Sequence, residues 1–500
     1  MLIAFVAVLA RAIPTPRTID DAFITFRYAR NLVSGSGFVF NPGQHVLGTT
    51  TPLYTLLLAL LAGLTRGTNY PWLALVVNTL ADAITCLLLV ALGEKLTGQR
   101  AVGLGAALLW AIAPMSVTFA VGGMETSVFI LLLVATAYSY ISGHVRWAVV
   151  FAGLLLLTRP DSLLLAGPLG VDFLIRRLRA RQFPTAEALL FLGVVLPWVI
   201  FATRYFGSPI PHSILAKTLA YRVDPADGLV NLLQHYGTPF FEDQVLGRYW
   251  ALAGFILYLA LSLFGGLAIL RRESRAWPIV LFPWLYFGAY AAARVLIFRW
   301  YLAPPLPFYF LLILAGLAKL LGDLARVAGA RGLALARRLN PLALPVGLFA
   351  LLSLLAWTAR PDHGPSEPAP QMAWHQLELY YRQVGLGLAP RLTASSVVAA
   401  GDVGALGYYS NARILDTVGL MSPEATAYFP LDPALYTISY AIPPRLILDQ
   451  EPDYVVFLEV YGRLGLLRDP QFLADYQLFQ YIDTDIYGSH GLLVYQRRGT

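Results

Sequence analysis

The chain has 500 residues, of which 57% are hydrophobic and 13% charged. A soluble protein carries roughly a quarter of its residues as charged side chains, so a single soluble core is excluded. The formal charge of +7 is distributed over short loops between apolar runs, which points to membrane topology and to no nucleic-acid partner. Cys86, the only cysteine, sits inside an apolar run and excludes a disulfide framework or a cysteine-based zinc site.

In chain order, predicted membrane spans lie near residues 1–13, 72–92, 101–120, 125–141, 146–158 and 161–175, then near 187–203, 248–270, 277–296, 301–320 and 341–358. Their lengths suit the hydrocarbon thickness of a bilayer. The first is short and ends on Arg11; it is read either as a helix that starts upstream or as a signal-like segment lacking a basic n-region. Lys95 with Arg100, Arg146, the run from Arg176 to Arg181, Arg271 to Arg275 and the stretch from Lys319 to Arg338 all fall on one side. By the positive-inside rule that side is the cytoplasm.

The loop from Pro14 to about Pro71, the GGMET turn, TRPDS, the segment from Arg204 to Gly247, FRWY and everything after Arg360 then lie outside. The apolar stretch PLYTLLLALLAGL, residues 52–64, would invert this orientation if it crossed. It is too short for a full span and is read as an interfacial or re-entrant helix. The expected protein is therefore α-helical and polytopic, with about eleven transmembrane helices in residues 1–360 and a first outer loop over 14–71. A small extracytoplasmic α/β domain follows over 361–500.

In that second domain the pattern predicts a helix at MAWHQLELYYRQV and a strand at SSVVAAG, then a short helix in DVGALGYYS and a strand at ARILDT. A strand at DYVVFLEV and a hairpin over FQYIDTDIYGSHGLLVYQRR follow. The glycines of GDVGALG match a dinucleotide loop only after a one-residue shift, so they are read as a tight strand-to-helix turn and no nucleotide is expected. Asp402 and Asp416 are candidate contacts to a glycan acceptor, and Tyr408 and Tyr409 are candidate stacking platforms.

The outer loop carries the best-marked chemistry, an adjacent acidic pair at Asp20 and Asp21. Such a pair suits deprotonation of an attacking hydroxyl, or holding a divalent cation such as magnesium or manganese against a phosphate. It also suits the start of an interfacial helix, where carboxylates offset the helix dipole. Along that helix Phe23, Phe26 and Tyr28 face the membrane and Arg27 and Arg30 reach headgroups, with Arg27 and Tyr28 candidate substrate contacts. Glu125 enters the next set as substrate contact or dipole partner, and Arg159 with Asp161 as substrate contacts or a mutual salt bridge. His212, Lys217, Arg299 and Tyr301 complete the candidates for a lipid phosphate or an acceptor. Arg299 is preferred slightly over Lys217 for the phosphate, because a guanidinium forks onto two oxygens.

The run IDDAFITFRYARNLVSGSGFVFNPG resembles the first outer loop of GT-C-fold glycosyltransferases, most closely those similar to the mycobacterial terminal arabinofuranosyltransferases. GGMETSVF, LLTRPDSLLL, RYFGSPIPHSILAKT, FRWYLAPPLPF and GDVGALGYYSNARILDTVGL follow in the order of that group. The resemblance implies transfer of a sugar, a pentofuranose among the options, from a polyprenyl-phosphate carrier to a glycan, lipid or protein acceptor outside the membrane. It makes Asp20 and Asp21 the catalytic pair. The alternative is a transporter or flippase of lipid-linked saccharides, which would place ionisable groups near the bilayer midplane and show internal repeats.

Overall fold

The computed structural model describes residues 1–293, 295–327, 340–357 and 373–499. Most of the described residues before Trp357 are helical: α1 Leu2–Ala12, α2 Asp20–Val33, α3 Pro52–Thr65, α4 Tyr70–Thr97, α5 Arg100–Ile112, α6 Pro114–Val121, α7 Thr126–Ile141 and α8 Val145–Leu156. Then follow α9 Leu163–Arg179, α10 Thr185–Phe206, α11 His212–Ala220, α12 Pro225–Gly237, α13 Asp243–Leu246, α14 Trp250–Arg272, α15 Trp277–Ala293, α16 Leu306–Val327 and α17 Ala343–Leu355.

Among the described residues, five helices are long and apolar enough to cross a membrane, namely α4, α10, α14, α15 with its preceding turn, and α16; the bent pair α5 and α6 makes six. The expected count of about eleven is not reached on length and composition alone. α7 shows why. Its first residue adjoins Glu125, on the wall of a recessed polar cavity, while the Ile141 carbonyl at its far end accepts a hydrogen bond from Arg275. The helix runs from one end of the bundle to the other in 16 residues, about 24 Å at 1.5 Å per residue. Helices that begin on a recessed wall need less length.

α3 does not cross. Leu53 at its start donates to the Leu157 carbonyl (3.0 Å), and Thr68 just past its end accepts from Tyr408 of the second domain (3.4 Å). Both termini therefore lie at the same end of the bundle. The basic loops gather at the opposite end: a side chain at Gly98 would meet the Arg272 guanidinium, and Arg275 reaches Ile141. The part of the basic stretch after Val327, and the boundary expected near residue 360, lie outside the described residues.

One buried ion pair knits the first helices together. Arg11 Nε lies 2.8 Å from Asp82 Oδ2, both side chains fully buried. Ser127 (2.9 Å) and Trp110 Nε1 (3.2 Å) donate to the same carboxylate, and Arg11 also donates to the Ala7 and Ala111 carbonyls and to Ser116. A charge at membrane depth is costly unless so satisfied. Here the satisfied cluster ties together α1, α4, α5 and α7.

In the second domain, α18 Ala373–Leu388 precedes a five-stranded sheet in the order β2-β1-β3-β5-β4. Its strands are β1 Val397–Ala400, β2 Arg413–Asp416, β3 Tyr454–Leu458, β4 Tyr476–Ile482 and β5 Leu492–Arg497, with α19 Gly404–Ser410 between the first two. β1 runs parallel to β2 and β3, whereas β5 is antiparallel to β3 and β4. The β1-α19-β2 connection is a right-sized crossover between parallel strands.

This domain is clamped to α2. Both Asp20 oxygens accept backbone amides at the start of α19, from Gly404 (2.9 Å) and Ala405 (2.7 Å). At the other end of α19, Arg30 donates to the Tyr408 carbonyl (2.9 Å) and Arg27 to the Ala412 carbonyl (2.6 Å). A carboxylate at the amino end and guanidinium groups at the carboxyl end both oppose the helix dipole. The glycines of GDVGALG make the approach possible. A Cβ at Gly404 would collide with the Asp20 carbonyl, and one at Gly407 with the Arg27 guanidinium.

Candidate active site

At the end of the bundle beneath this clamp lies a cavity of about 160 Å³, lined by Asp21, Glu125, Arg159, Asp161, Lys217 and Tyr301 together with Thr49 to Thr51, Ser213, Tyr290 and Trp300. Its walls come from separate pieces of chain. Asp21 enters from the first turn of α2, Glu125 from the cap of α7, and Arg159 and Asp161 from the proline break between α8 and α9. α11 supplies Lys217, and the single turn before α16 supplies Tyr301.

Adjacency in sequence separates Asp20 from Asp21. Successive helix residues point about 100° apart at 3.6 residues per turn, so when Asp20 turns to α19, Asp21 faces the cavity. The Asp20 carboxyl is buried, and that burial, with Asp402 nearby, pushes its pKa well above the ordinary range against the pull of the two amides. Its oxygens are occupied by structure.

Arg159 is held on three sides. It pairs with Asp161 through Nε (3.1 Å) and Nη2 (2.7 Å) and with Glu125 through Nη1 (3.3 Å). Tyr286 (2.8 Å) and Tyr290 (3.2 Å) donate to Asp161, and the guanidinium lies over the Phe129 and Tyr301 rings. Both earlier readings of these residues therefore meet in one place: a salt bridge that is also cavity wall. Lys217, by contrast, makes no ion pair with a carboxylate within 4.0 Å among the described residues; its ammonium lies 4.9 Å from the Phe298 ring. Burial opposes its charge, but Tyr301 and Asp21 raise its pKa above the ordinary lysine value and keep it protonated.

Four sequence candidates stand elsewhere. Arg27 is buried against Ala412 and the Phe40 ring, clamping the second domain rather than meeting the cavity. Tyr28 donates to the Val46 carbonyl (2.6 Å) and accepts from the Gly48 amide (3.0 Å), which pins the loop instead of facing the membrane. His212 lies outside the cavity lining, with its amide on the Leu47 carbonyl (2.8 Å). Arg299 is exposed and stacks over Trp374, 5.9 Å from the ring centre, so the preference for it over Lys217 is reversed. Tyr28→Phe is expected to lower stability by ~1–2 kcal/mol, the cost of one buried bond and one stranded partner, read as a thermal-melt shift in detergent. An unchanged melt would return Tyr28 to the substrate contacts.

In the second domain, Asp416 is a loop clasp: it accepts amides from Val418, Gly419 and Met421 at 2.9, 3.1 and 2.8 Å. Tyr408 and Tyr409 pack against Phe23 at the domain junction, and Tyr408 lies beneath the Arg30 guanidinium. Neither ring is free to stack on a sugar. Asp402 lies outside the cavity lining, beside the anchor of Asp20. It accepts from the Tyr381 hydroxyl (2.9 Å), two residues before the amide that holds Asp20, and burial with Asp21 nearby pushes its pKa up to about 6. The sequence carried no signal for Tyr381, Tyr290 or Ser213.

A divalent cation on the aspartate pair does not fit this donor set. Asp20 gives both oxygens to amides, a protonated Lys217 faces Asp21, and no three His, Cys, Asp or Glu side chains gather for a metal among the described residues.

A family model described as a domain of unknown function (DUF8728) matches residues 370–495. The terminal beta-(1->2)-arabinofuranosyltransferase of Mycobacterium tuberculosis is 28% identical over 228 residues, 40% of this chain and 35% of that protein. The enzyme of the same description from Corynebacterium glutamicum is 30% identical over 234 residues, 40% of this chain and 33% of that protein. The chain thus spans about a third of the length of these relatives. Among solved structures, ArnT from Cupriavidus metallidurans bound to undecaprenyl phosphate superposes with a TM-score of 0.57 at 14% identity, covering 100% of this chain and 97% of ArnT. The oligosaccharyltransferase AglB from Archaeoglobus fulgidus, in complex with an inhibitory peptide and a dolichol-phosphate, gives 0.56 at 12% identity, covering 97% of this chain and 72% of AglB. The chain is a membrane protein of the GT-C fold, related in sequence over two fifths of its length to the terminal arabinofuranosyltransferases.

Proposed function

We propose that the chain is a membrane glycosyltransferase that moves a sugar, a pentofuranose by analogy with its sequence relatives, from a polyprenyl-phosphate carrier to an extracytoplasmic acceptor. The observation that carries this reading is the cavity in which Asp21 faces a protonated Lys217 at one end of a GT-C bundle. Undecaprenyl phosphate and dolichol-phosphate, named with the structural neighbours, are lipids of the carrier class required. The basic loops at the opposite end support an extracytoplasmic placement of the cavity and the second domain. The cavity's ionisable groups gather at one end, and the buried Arg11–Asp82 pair within the bundle is fully satisfied by its neighbours, which disfavours the transporter alternative.

In the reaction, an acceptor hydroxyl loses its proton to the Asp21 carboxylate as its oxygen bonds to the anomeric carbon. The bond from that carbon to the phosphate oxygen breaks, and the phosphate leaves with the electron pair. Negative charge grows on the leaving oxygen, where the Lys217 ammonium stabilises it more in the transition state than in the ground state. Arg159, already paired, positions Asp161 and Glu125 and packs over Tyr301. One carboxylate acting as base predicts inversion at the anomeric centre.

The test is transfer in detergent from a panel of polyprenyl-phosphate sugars, with product linkage determined by NMR. Lys217→Ala is expected to lower kcat by ~10–100-fold with the donor KM changed less, the loss of one charge-assisted contact made chiefly in the transition state. Wild-type protein that transfers no sugar from any donor of the panel would overturn the proposal.

A further inference from the structure

On the flank of the bundle, α7, α8, α9 and α10 surround a separate cavity of about 460 Å³, within the range of about 300–1,000 Å³ over which proteins enclose small ligands. Its wall follows α9 from Leu163 to Leu174 and faces Ala148 and Ala152 of α8 and Phe191 of α10. Gly167 and Gly170 stand on that wall with open space where a Cβ would project. α10 is thinly covered: 6% of its apolar stretch is buried, against a third or more in the four other long spans. The few polar side chains of the lining already have partners. Thr136 donates to the Leu132 carbonyl (2.7 Å), Tyr140 donates to Asp172, and Glu187 accepts from Arg177 (2.6 Å). Inside, the cavity therefore suits hydrocarbon and offers a polar ligand nothing.

Its mouth is charged. Tyr140, Val145, Pro184 and Glu187 line the end of the cavity where the basic loops gather, opposite Asp21. Around that rim the start of α8, the end of α9 and the start of α10 carry Arg146, Arg176, Arg177, Arg179 and Arg181 against only Asp172 and Glu187. Asp172 is taken by Arg176 (2.7 Å), and Glu187 by Arg177, whose guanidinium also lies 5.4 Å from the ring of the lining residue Phe173. Arg146, Arg179 and Arg181 are exposed and make no ion pair within 4.0 Å among the described residues. Arg146, next to Val145 of the lining, acts on Glu187 electrostatically. An apolar interior below a rim with an excess of three positive charges fits a molecule that is hydrocarbon at one end and anionic at the other.

We propose that the cavity between α9 and α10 binds an anionic phospholipid of the leaflet at the basic end, with an acyl chain along α9 and the headgroup against Arg146 and its neighbours. An apolar protein helix seated on the same face would leave the charge of the rim unanswered. A polyprenyl-phosphate donor belongs elsewhere, because its phosphate has to lie beside Lys217 and Asp21 at the other end of the bundle. The phospholipid completes the packing of α10, the helix the protein itself covers least, and it ties the stability of the bundle to the anionic content of one leaflet. The site stands whether or not the chain transfers sugar.

The experiment is native mass spectrometry of the full-length protein in detergent, with dioleoyl phosphatidylglycerol and dioleoyl phosphatidylcholine as probes and a thermal melt alongside. The wild type is expected to retain one phosphatidylglycerol at least about tenfold more tightly than phosphatidylcholine and to melt higher in its presence. Arg146→Gln should narrow that preference by about fivefold, the effect of one basic residue at a lipid headgroup. Gly167→Leu places a side chain in the open space; it should raise the lipid-free melt, since leucine favours a helix over glycine, and abolish retention. Arg146 is exposed and unpaired, so its replacement keeps the test decisive even where Gly167→Leu misfolds. Equal retention of the two phospholipids, or unchanged retention in a folded Gly167→Leu, would overturn the site. Displacement of phosphatidylglycerol by equimolar undecaprenyl phosphate would overturn it too and give the cavity to a carrier lipid.

Discussion

Asp21→Asn is expected to lower the turnover of sugar transfer by ~10²–10⁴-fold, the contribution of a positioned general base, with the thermal melt unchanged. Asn keeps the volume and a carbonyl oxygen but cannot take the acceptor proton. The neighbouring change should read out differently. Asp20→Ala removes the acceptor for the Gly404 and Ala405 amides, which then lie buried without partners; each such loss costs ~1–3 kcal/mol. That variant should melt lower and lose activity in proportion to the loosened second domain, with stability and activity falling together. Turnover retained by Asp21→Asn, measured with the same donor and acceptor, would remove it from the chemistry. Equal turnover losses from both variants with neither melt shifted would show that the pair works as a unit.

The division of labour within that pair marks the limit of what was legible in the sequence. Apolar run lengths and charge asymmetry located the bundle, and period and turn residues located every strand of the second domain, because these patterns depend on local chemistry. The cavity residues Glu125, Arg159, Asp161, Lys217 and Tyr301 were legible as polar groups beside apolar runs, where a charge has few reasons to be. What the sequence hid is partnership at long range. Asp20 is bound by residues 384 and 385 positions away, and Arg27 by one 385 away. No local pattern distinguishes an aspartate that caps a distant helix from one that faces a cavity. The glycines of GDVGALG were read as a turn, yet Gly404 and Gly407 serve contact with α2. Arg11 and Asp82 sit inside apolar runs without any hint that they pair.

Asp402→Asn is expected to stabilise the protein while impairing it, and the gain should depend on pH. Burial, opposed by the Tyr381 hydroxyl and reinforced by Asp21, moves the Asp402 carboxyl from an ordinary 3.8 to about 6. A folded state that holds its proton more tightly than the unfolded chain loses stability as pH rises between those two values. Below pH 4 both states are protonated and Asp402 costs nothing; above pH 6 the full penalty stands, about 3 kcal/mol at 1.36 kcal/mol per pKa unit. Asn accepts the same Tyr381 bond without a charge, so the variant should melt well above the wild type at pH 7.5 and close to it at pH 4. Melts that differ equally at both pH values would show that the Asp402 carboxyl titrates in the fold as it does in the unfolded chain, and would overturn the burial penalty. A buried acid kept at such a cost, two residues before the amide that anchors Asp20, is what a site selected for function would retain and a site selected for stability would lose.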